Sequence, residues 1–337
     1  MQVLLLPDFR RLTGGPASFQ RKLAEELGRR GVQLMYEFHR KEPRPDVCLL
    51  INAVKDWPAL WSLRKKGIPV VQRLGGLNWE HHFLPLSLLH KARCEWANVN
   101  TRLVRQFIAS RLVYQSEFVK SWWESEVNVS KKASMVIHNG VDLTCFSPDG
   151  DRYQTARQMC FISVEGNQGA GSSIALEIGK ELRRKGIDCE LLMFGKPILG
   201  AEEVYSRYEW VRFFGHVAND QLPFYYRGAD FFVSTDVIAA CPNSVIEAMA
   251  CGVPILGYEL GVLPELVGKT GGILVRAEND PRQGKPPGNI SGLSNAALQI
   301  LSKGVAQRSE VRALAAASYD INQMAGKYYE VLSEALA

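Results

Sequence analysis

Short apolar runs alternate with amphipathic stretches along the whole chain, which has 337 residues. The apolar runs have the length of buried strands, and the stretches between them repeat apolar residues at helical spacing. The pattern predicts twelve strands, at 3–6, 33–38, 47–51, 69–72, 111–114, 134–137, 159–164, 189–194, 211–214, 229–233, 254–257 and 272–275. Helical patterns between them include 16–30, 57–66, 172–185, 219–226 and 291–302.

Strands that alternate with helices form parallel sheets covered by helices on both faces. The alternation occurs twice, and the turn-rich segment 142–151 separates the two series. The sequence therefore predicts an α/β fold with two doubly wound domains, at 1–147 and 152–316. Ligands of such sheets bind beyond the carboxyl ends of the strands, so we expect the site in a cleft that both domains face.

The segment after the predicted strand 229–233 contains the strongest candidate for a ligand site. Cys241 lies just before a predicted helix, and Asn243 and Ser244 begin that helix. Glu247 follows one turn later. The N–H groups of a helix N-terminus suit a phosphate, and a carboxylate can accept hydrogen bonds from a ribose diol. The segment therefore predicts half of a nucleotide site.

A second candidate anion site follows the first predicted strand. Gly14 and Gly15 would let the backbone approach a bulky anion, and Pro16 suits the first turn of a helix. Arg10 and Arg11 beside this loop strengthen the interpretation. The alternative is a plain turn between a strand and a helix.

Two other motifs argue against particular classes of site. The loop 165–173 is rich in glycine, but its order differs from the G-x-G-x-x-G fingerprint, which argues against a nicotinamide enzyme. Asp149 and Asp151 have the D-x-D spacing that can hold a divalent metal. They lie in the turn between the predicted domains, so we expect no metal there.

The composition is that of an ordinary globular protein, with 46% hydrophobic and 22% charged residues. No apolar run approaches the ~18–20 residues that span a bilayer, and the N-terminal run is too short for a signal peptide. The seven cysteines form no C-x-x-C and the six histidines no H-E-x-x-H. We therefore expect a cytoplasmic protein with reduced thiols and no structural metal.

The charge is unevenly distributed along the chain. Residues 1–147 contain 22 lysines and arginines against 13 aspartates and glutamates, whereas the remainder contains 18 against 22. A basic first half predicts contact with anions, such as anionic lipid heads, a lipid-linked phosphate or nucleic acid. A solvated basic surface without a partner is the alternative.

An ordered set of short motifs resembles one known family. The set comprises Gly14-Gly15, Gln115-Ser-Glu-Phe-Val, His138-Asn-Gly-Val-Asp142, Phe214-Gly-His-Val217, Glu247-Ala-Met-Ala-Cys-Gly-Val-Pro254, Gly261 and Pro264-Glu265. In this order and spacing the motifs resemble a retaining glycosyltransferase of family 4, and the resemblance covers nearly the whole chain. It implies the GT-B fold, in which two Rossmann-like domains face a cleft and the last segment, 317–337, packs back on the first domain.

The resemblance also implies roles for individual residues. Glu247 would bind the ribose hydroxyls of a nucleotide-sugar donor, such as a UDP- or GDP-sugar. Backbone groups around Asn243 and Ser244 would hold the diphosphate, with Gly15 touching it, and the loop at His216 and Val217 would meet the base.

The implied enzyme is a hexosyltransferase that needs no cofactor and no metal. It would transfer the sugar with retention to a saccharide or lipid-linked acceptor in cell-surface polysaccharide or glycolipid synthesis. The leaving diphosphate would accept the proton of the acceptor. Contact with the membrane would be peripheral, at its inner face.

Two departures from the family pattern bear on activity. The family has a second glutamate eight positions before the residue that matches Glu247, and here that position is Ala239. The family also has an arginine and a lysine in the loop that corresponds to 165–173, which here has no basic residue. Arg73 and Lys196 are our candidates for the missing catalytic cations. The alternative for Arg73 is a structural ion pair.

Three other hypotheses follow from the same residues. Ala239 and the cation-free loop favour a catalytically silent GT-B module that binds a nucleotide or a partner. A nucleotide-sugar epimerase shares the fold, although the motifs argue against it. Nucleic-acid binding would rest on the basic first half alone, with no recognition motif, so we expect no nucleic-acid partner.

Overall fold

A computed structural model describes residues 1–12, 14–38, 44–84, 86–165, 169–195 and 201–337, without the side chains of 165, 169–172, 201 and 202. The chain divides into two compact units. Unit 1 comprises Met1–Gly140 together with Ile321–Ala337, and unit 2 comprises Val141–Asp320. Among the described residues, no helix combines the length and the apolar character needed to cross a bilayer.

Unit 1 contains a parallel sheet of six strands in the order β2-β1-β3-β4-β5-β6. The strands are β1 (Gln2–Leu6), β2 (Gln33–Met35), β3 (Val47–Ile51), β4 (Val70–Leu74), β5 (Arg111–Tyr114) and β6 (Ser134–Val136). The helices are α1 (Gly15–Arg29), α2 (Trp57–Lys65), α3 (Leu88–Phe107), α4 (Glu117–Glu126) and, from the end of the chain, α11 (Ile321–Glu334).

The sheet of unit 1 is buried on both faces because each face is covered by helices. On one face, Leu49 and Val71 belong to a core with Phe19 of α1 and Tyr328 of α11. On the other face, strand and helix residues form a second core that includes Leu50, Leu60 and Val104. Burial on both faces explains why β3 is continuously apolar in sequence.

Unit 2 contains a second parallel sheet of six strands, in the order β12-β11-β10-β7-β8-β9. The strands are β7 (Met159–Glu165), β8 (Cys189–Gly195), β9 (Val211–Gly215), β10 (Phe231–Val233), β11 (Ile255–Tyr258) and β12 (Gly272–Val275). The helices are α5 (Gly169–Arg184), α6 (Ala201–Tyr205), α7 (Leu222–Gly228), α8 (Asn243–Ala250), α9 (Leu263–Val267) and α10 (Ile290–Ser318).

The predicted fold class is confirmed, because all twelve predicted strands are present and both sheets are parallel. The boundary between the two domains was predicted between residues 147 and 152. In the structure the corresponding boundary lies between Gly140 and Val141. The connector belongs to unit 2 because Arg312 of α10 donates hydrogen bonds to the carbonyl oxygens of Leu143 and Phe146, at 3.0 and 2.7 Å.

The resemblance assigned 317–337 to the first domain; in the structure Ile321–Ala337 belongs to unit 1 and residues 317–320 belong to unit 2. The ring of Tyr328 on α11 lies 5.4 Å from that of Phe19 on α1. The guanidinium of Arg30 donates a hydrogen bond of 2.9 Å to the carbonyl of Asn322. These contacts fix the last helix against the first one.

Candidate functional site

Helix α8 begins close to the carboxyl end of β10, the strand between β11 and β7. Pro242 occupies the N-cap position of this helix and makes no side-chain capping bond. Asn243 and Ser244 follow it and are half-buried, while Cys241 before it is buried. The first N–H groups of a helix have no acceptor within the helix, so this end of α8 suits an anionic oxygen.

Glu247 lies on the second turn of α8, and its side chain is buried. Its carboxylate accepts a hydrogen bond of 3.1 Å from the amide nitrogen of Asn219. Asn219 begins a short 3-10 helix just after β9 and the residues His216 and Val217. The structure therefore brings the loop after β9 to the carboxylate of Glu247. Of the loop residues predicted for the site, His216 is exposed and Val217 is half-buried.

A buried phenol lies close to this carboxylate. Tyr226 of α7 is completely buried, and its hydroxyl is without a hydrogen-bond partner among the described residues. Burial raises the pKa of Tyr226 well above its usual value, and the nearby charge of Glu247 raises it further. The phenol therefore stays neutral beside the carboxylate.

Asp236 is an acidic group at this end of the sheet that sequence reasoning did not single out. It follows the buried residues Ser234 and Thr235, and its own side chain is exposed to solvent. Desolvation by the surrounding protein nevertheless raises the pKa of Asp236, and a hydrogen bond from the N–H of Ile238 partly opposes this. We interpret the combination as a carboxyl group in a recess that water can enter. Its position directly beyond a buried strand was the available signal.

The loop between β10 and α8 packs closely against Gly261. This glycine has a φ of 58°, and a Cβ added there would lie 3.1 Å from the Cα of Ile238 and 3.2 Å from the nitrogen of Ala239. A side chain at 261 would therefore push on the segment that contains Asp236. The buried Ala239 leaves no carboxylate at its own position.

The catalytic role predicted for Arg73 stays a prediction, and its placement favours a structural role. Arg73 lies on β4 in unit 1 and is 2% exposed. Its guanidinium donates hydrogen bonds to the hydroxyl of Tyr328 at 3.1 Å and the side-chain oxygen of Asn139 at 2.7 Å. It also lies over the ring of Phe19, 3.6 Å from the centroid. These partners are neutral groups, whereas the structural alternative considered for Arg73 was an ion pair with a carboxylate.

The structure says less about the other predicted cation and about the two glycine-containing loops. Lys196 and residues 166–168 of the loop 165–173 lie outside the described residues. Gly14 is the N-cap of α1 with a φ of 100°, and both Gly14 and Gly15 are exposed with open space where a side chain would be. The role of Gly14 and Gly15 in binding an anion stays a prediction. Arg10 beside it forms an ion pair with Asp8 at 2.9 Å.

Comparison with known proteins identifies part of unit 2. Residues 159–284 match the family model described as glycosyl transferases group 1. The matched segment contains Asp236, the start of α8, Glu247 and Gly261, so the candidate site lies within it.

One curated relative matches a part of the chain. O-antigen chain mannosyltransferase B of Escherichia coli is 37% identical over 75 residues, which are 22% of this chain. The match spans only 19% of the length of that relative.

Solved structures match nearly the whole chain at low sequence identity. Sucrose-phosphate synthase from Thermosynechococcus elongatus has a TM-score of 0.73 at 16% identity, with 99% of each chain covered. The Anabaena protein HepE in complex with UDP-glucose has a TM-score of 0.70 at 15% identity, also with 99% of each chain covered. WaaG, a glycosyltransferase involved in lipopolysaccharide biosynthesis, has 0.69 at 12% identity, with 98% of this chain and 99% of WaaG covered. The chain, with its two parallel six-stranded sheets, therefore has the GT-B fold.

Proposed function

We propose that this protein is a retaining hexosyltransferase that uses a nucleotide-diphospho-sugar, such as a UDP- or GDP-sugar, and needs no metal or cofactor. The acceptor is a saccharide or a lipid-linked saccharide in the synthesis of a cell-surface polysaccharide or glycolipid. The buried carboxylate of Glu247 on α8, in contact with the loop after β9, is the observation that supports this proposal most. The Anabaena HepE structure is a complex with UDP-glucose, WaaG is involved in lipopolysaccharide biosynthesis, and the Escherichia coli relative is an O-antigen chain mannosyltransferase, which is the kind of chemistry proposed here.

In this proposal the start of α8 holds the diphosphate and Glu247 holds the ribose. The N–H groups at Asn243 and Ser244 donate to phosphate oxygens, with the partial positive charge of the helix end behind them. The Glu247 carboxylate accepts hydrogen bonds from the two ribose hydroxyls. These hydroxyls displace the side-chain amide of Asn219, which moves toward the base.

Transfer then requires an acceptor hydroxyl on the same face of the sugar as the leaving group. A bond forms between the acceptor oxygen and the anomeric carbon while the bond from that carbon to the phosphate oxygen breaks. The phosphate oxygen takes the proton of the hydroxyl, so the configuration at the anomeric carbon is retained.

Asp236 contributes the carboxylate that Ala239 lacks. It lies three residues earlier in the same loop, and among the loop residues 234–239 its side chain is the exposed one. We assign to Asp236 the hydrogen bonds to the hydroxyls of the donor sugar.

The experiment is a turnover assay of the purified chain with UDP-, GDP-, ADP- and dTDP-sugars, with and without a metal chelator. We expect release of one nucleoside diphosphate, unaffected by the chelator. Glu247→Gln should lower this release about 10- to 100-fold, because a hydrogen bond to a charged group contributes ~1.5–3 kcal/mol. Glu310→Ala, which changes an exposed glutamate of α10, is the matched control. Full activity of Glu247→Gln would show that the site is wrongly assigned.

A catalytically silent nucleotide-binding module is the second candidate, and the buried Ala239 favours it. It predicts that a nucleoside diphosphate binds with the same dependence on Glu247 while no sugar is released from any donor. Slow hydrolysis of a nucleotide sugar in the turnover assay would exclude it.

A further inference from the structure

Helix α3 of unit 1 exposes a continuous row of apolar side chains. The row, called here the α3 stripe, consists of Leu88, Leu89, Ala92, Trp96, Val99 and Phe107. Leu88 and Leu89 are 85% and 64% exposed, and Trp96 is 57% exposed. The members recur at intervals that place them on one side of a helix. Phe83, which precedes the helix, is also exposed.

The opposite side of α3 is fixed to unit 1 and is largely polar, although Val104 near its end belongs to the second core. Asn98 accepts a hydrogen bond from the backbone N–H of Asn78 at 2.9 Å and donates one to its carbonyl oxygen at 2.9 Å. Asn100 accepts from the indole nitrogen of Trp57 at 2.9 Å. Both asparagines are buried. A surface helix normally buries its apolar side and exposes its polar side, so the polarity of α3 is inverted along this length.

These contacts prevent α3 from turning its apolar side inward. Near its N-terminal end, Glu95 binds His81 at 2.9 Å and His82 at 3.3 Å through one carboxylate oxygen. At the other end, the guanidinium of Arg105 donates to the side chain and the carbonyl of Asn128, at 2.7 and 2.8 Å. The stripe is therefore a fixed surface, and an exposed apolar surface of this kind marks a docking site.

The charges around the stripe indicate what it docks against. In α3 the basic residues Lys91, Arg93 and Arg102 outnumber the single acidic residue, Glu95. The carboxylate of Glu95 already contacts the two histidines. The first 147 residues have the same positive balance, with 22 basic against 13 acidic residues. In a symmetric dimer through this helix, the cations of both copies would face each other. An anionic lipid surface instead pairs these cations with lipid phosphates while the leucines and tryptophan enter the boundary of the acyl chains.

We propose that the α3 stripe docks unit 1 on the surface of an anionic lipid bilayer. The inference deepens the proposed function on its acceptor side, because it holds the enzyme where a lipid-linked saccharide is found. The helix lies along the bilayer surface, with Leu88, Leu89 and Trp96 inserted and the basic residues beside them at the headgroups.

The test is sedimentation of the full chain with vesicles of phosphatidylcholine, with and without phosphatidylglycerol. We expect binding to the vesicles that contain phosphatidylglycerol and at least a tenfold loss of it in Leu88→Ser/Leu89→Ser. Val305→Ser is the control, because Val305 is 79% exposed on α10 of unit 2 and lies outside the stripe. The control should bind as the wild type does. Lys91→Glu/Arg93→Glu should lose the preference for phosphatidylglycerol.

Three results would overturn the proposal. They are failure of the wild type to bind either vesicle, unchanged binding of Leu88→Ser/Leu89→Ser, and self-association of the wild type through residues 88 and 89 in analytical ultracentrifugation. Nucleoside diphosphate affinity should be the same in Leu88→Ser/Leu89→Ser and wild type. A chain that binds vesicles and no nucleotide would therefore contradict the proposed function alone.

Discussion

At the scale of single residues, the sequence indicated Glu247 as a candidate, but it did not indicate Asn219 or Asp236. Glu247 could be found because it lies one turn into a helix that follows a buried strand. Asn219, which donates to it, could not be found, because the two residues lie 28 positions apart on different elements. Asp236 has a sequence signal, but its exposure among buried neighbours is visible only in the folded loop.

Asp236 gives a prediction about pH. Because desolvation raises its pKa, the carboxyl becomes protonated at a higher pH than a free aspartate does. Donor affinity that depends on this carboxylate should therefore fall as the pH is lowered through this raised pKa, and Asp236→Asn should lower affinity at neutral pH and remove this dependence. The measurement is nucleotide-sugar affinity against pH for both proteins.

Stability separates a functional loss at Asp236 from unfolding. A carboxyl with a raised pKa in the folded state makes folding less favourable as the pH rises through that pKa. At neutral pH, Asp236→Asn should therefore unfold at the same or a higher temperature than the wild type. An Asn variant that keeps the wild-type pH profile of affinity would remove Asp236 from the site.

Arg73 shows why the role of a buried cation cannot be derived from sequence. Its partner Tyr328 lies 255 positions away, on a helix at the other end of the chain. Arg73→Lys should destabilise the protein by ~1.5–3 kcal/mol, because an ammonium cannot reproduce the two directed bonds and the contact with the ring of Phe19. Denaturant unfolding measures this. If Arg73→Lys were as stable as the wild type but had lost sugar transfer, the result would instead support a catalytic role for Arg73.

At the scale of elements, central strands such as β3 and β10 were predictable because both of their faces are buried, which makes them apolar runs. Helix α3 was not predicted, because its apolar residues face solvent and asparagines face the unit. Helix α10 was predicted to end at 302, and the structure continues it to Ser318 across a kink at Gly304, which has a φ of 59°.

Arg312 on α10 gives a prediction for the connector. Its guanidinium donates to the carbonyl oxygens of Leu143, Phe146 and Ala250, at 3.0, 2.7 and 2.6 Å. Arg312→Met should lower the free energy of unfolding by at least ~2 kcal/mol, since hydrogen bonds to charged groups contribute ~1.5–3 kcal/mol each. Arg207→Met, at an exposed position, is the control for loss of a charge. Equal stability of the two variants would show that the connector is held by other contacts.

At the scale of the whole molecule, the two series of strands and helices were sufficient to predict two parallel sheets, and structures that cover 98–99% of the chain confirm the fold. The division between the units was not predictable to the residue, because it depends on Arg312, which lies some 170 positions beyond the connector. The donor site was predictable in outline because ligands of parallel sheets lie beyond the carboxyl ends of the strands.

The central claim is that α8 and Glu247 form a nucleotide site, and calorimetric titration tests it most directly. The wild type and Glu247→Gln would each be titrated with UDP, GDP, ADP and dTDP, first without and then with a divalent metal. We predict that one nucleotide binds the wild type without metal and binds Glu247→Gln about 10- to 100-fold more weakly, because a hydrogen bond to a charged group is lost. Absence of binding to any of the four, or equal binding to both proteins, would contradict the account.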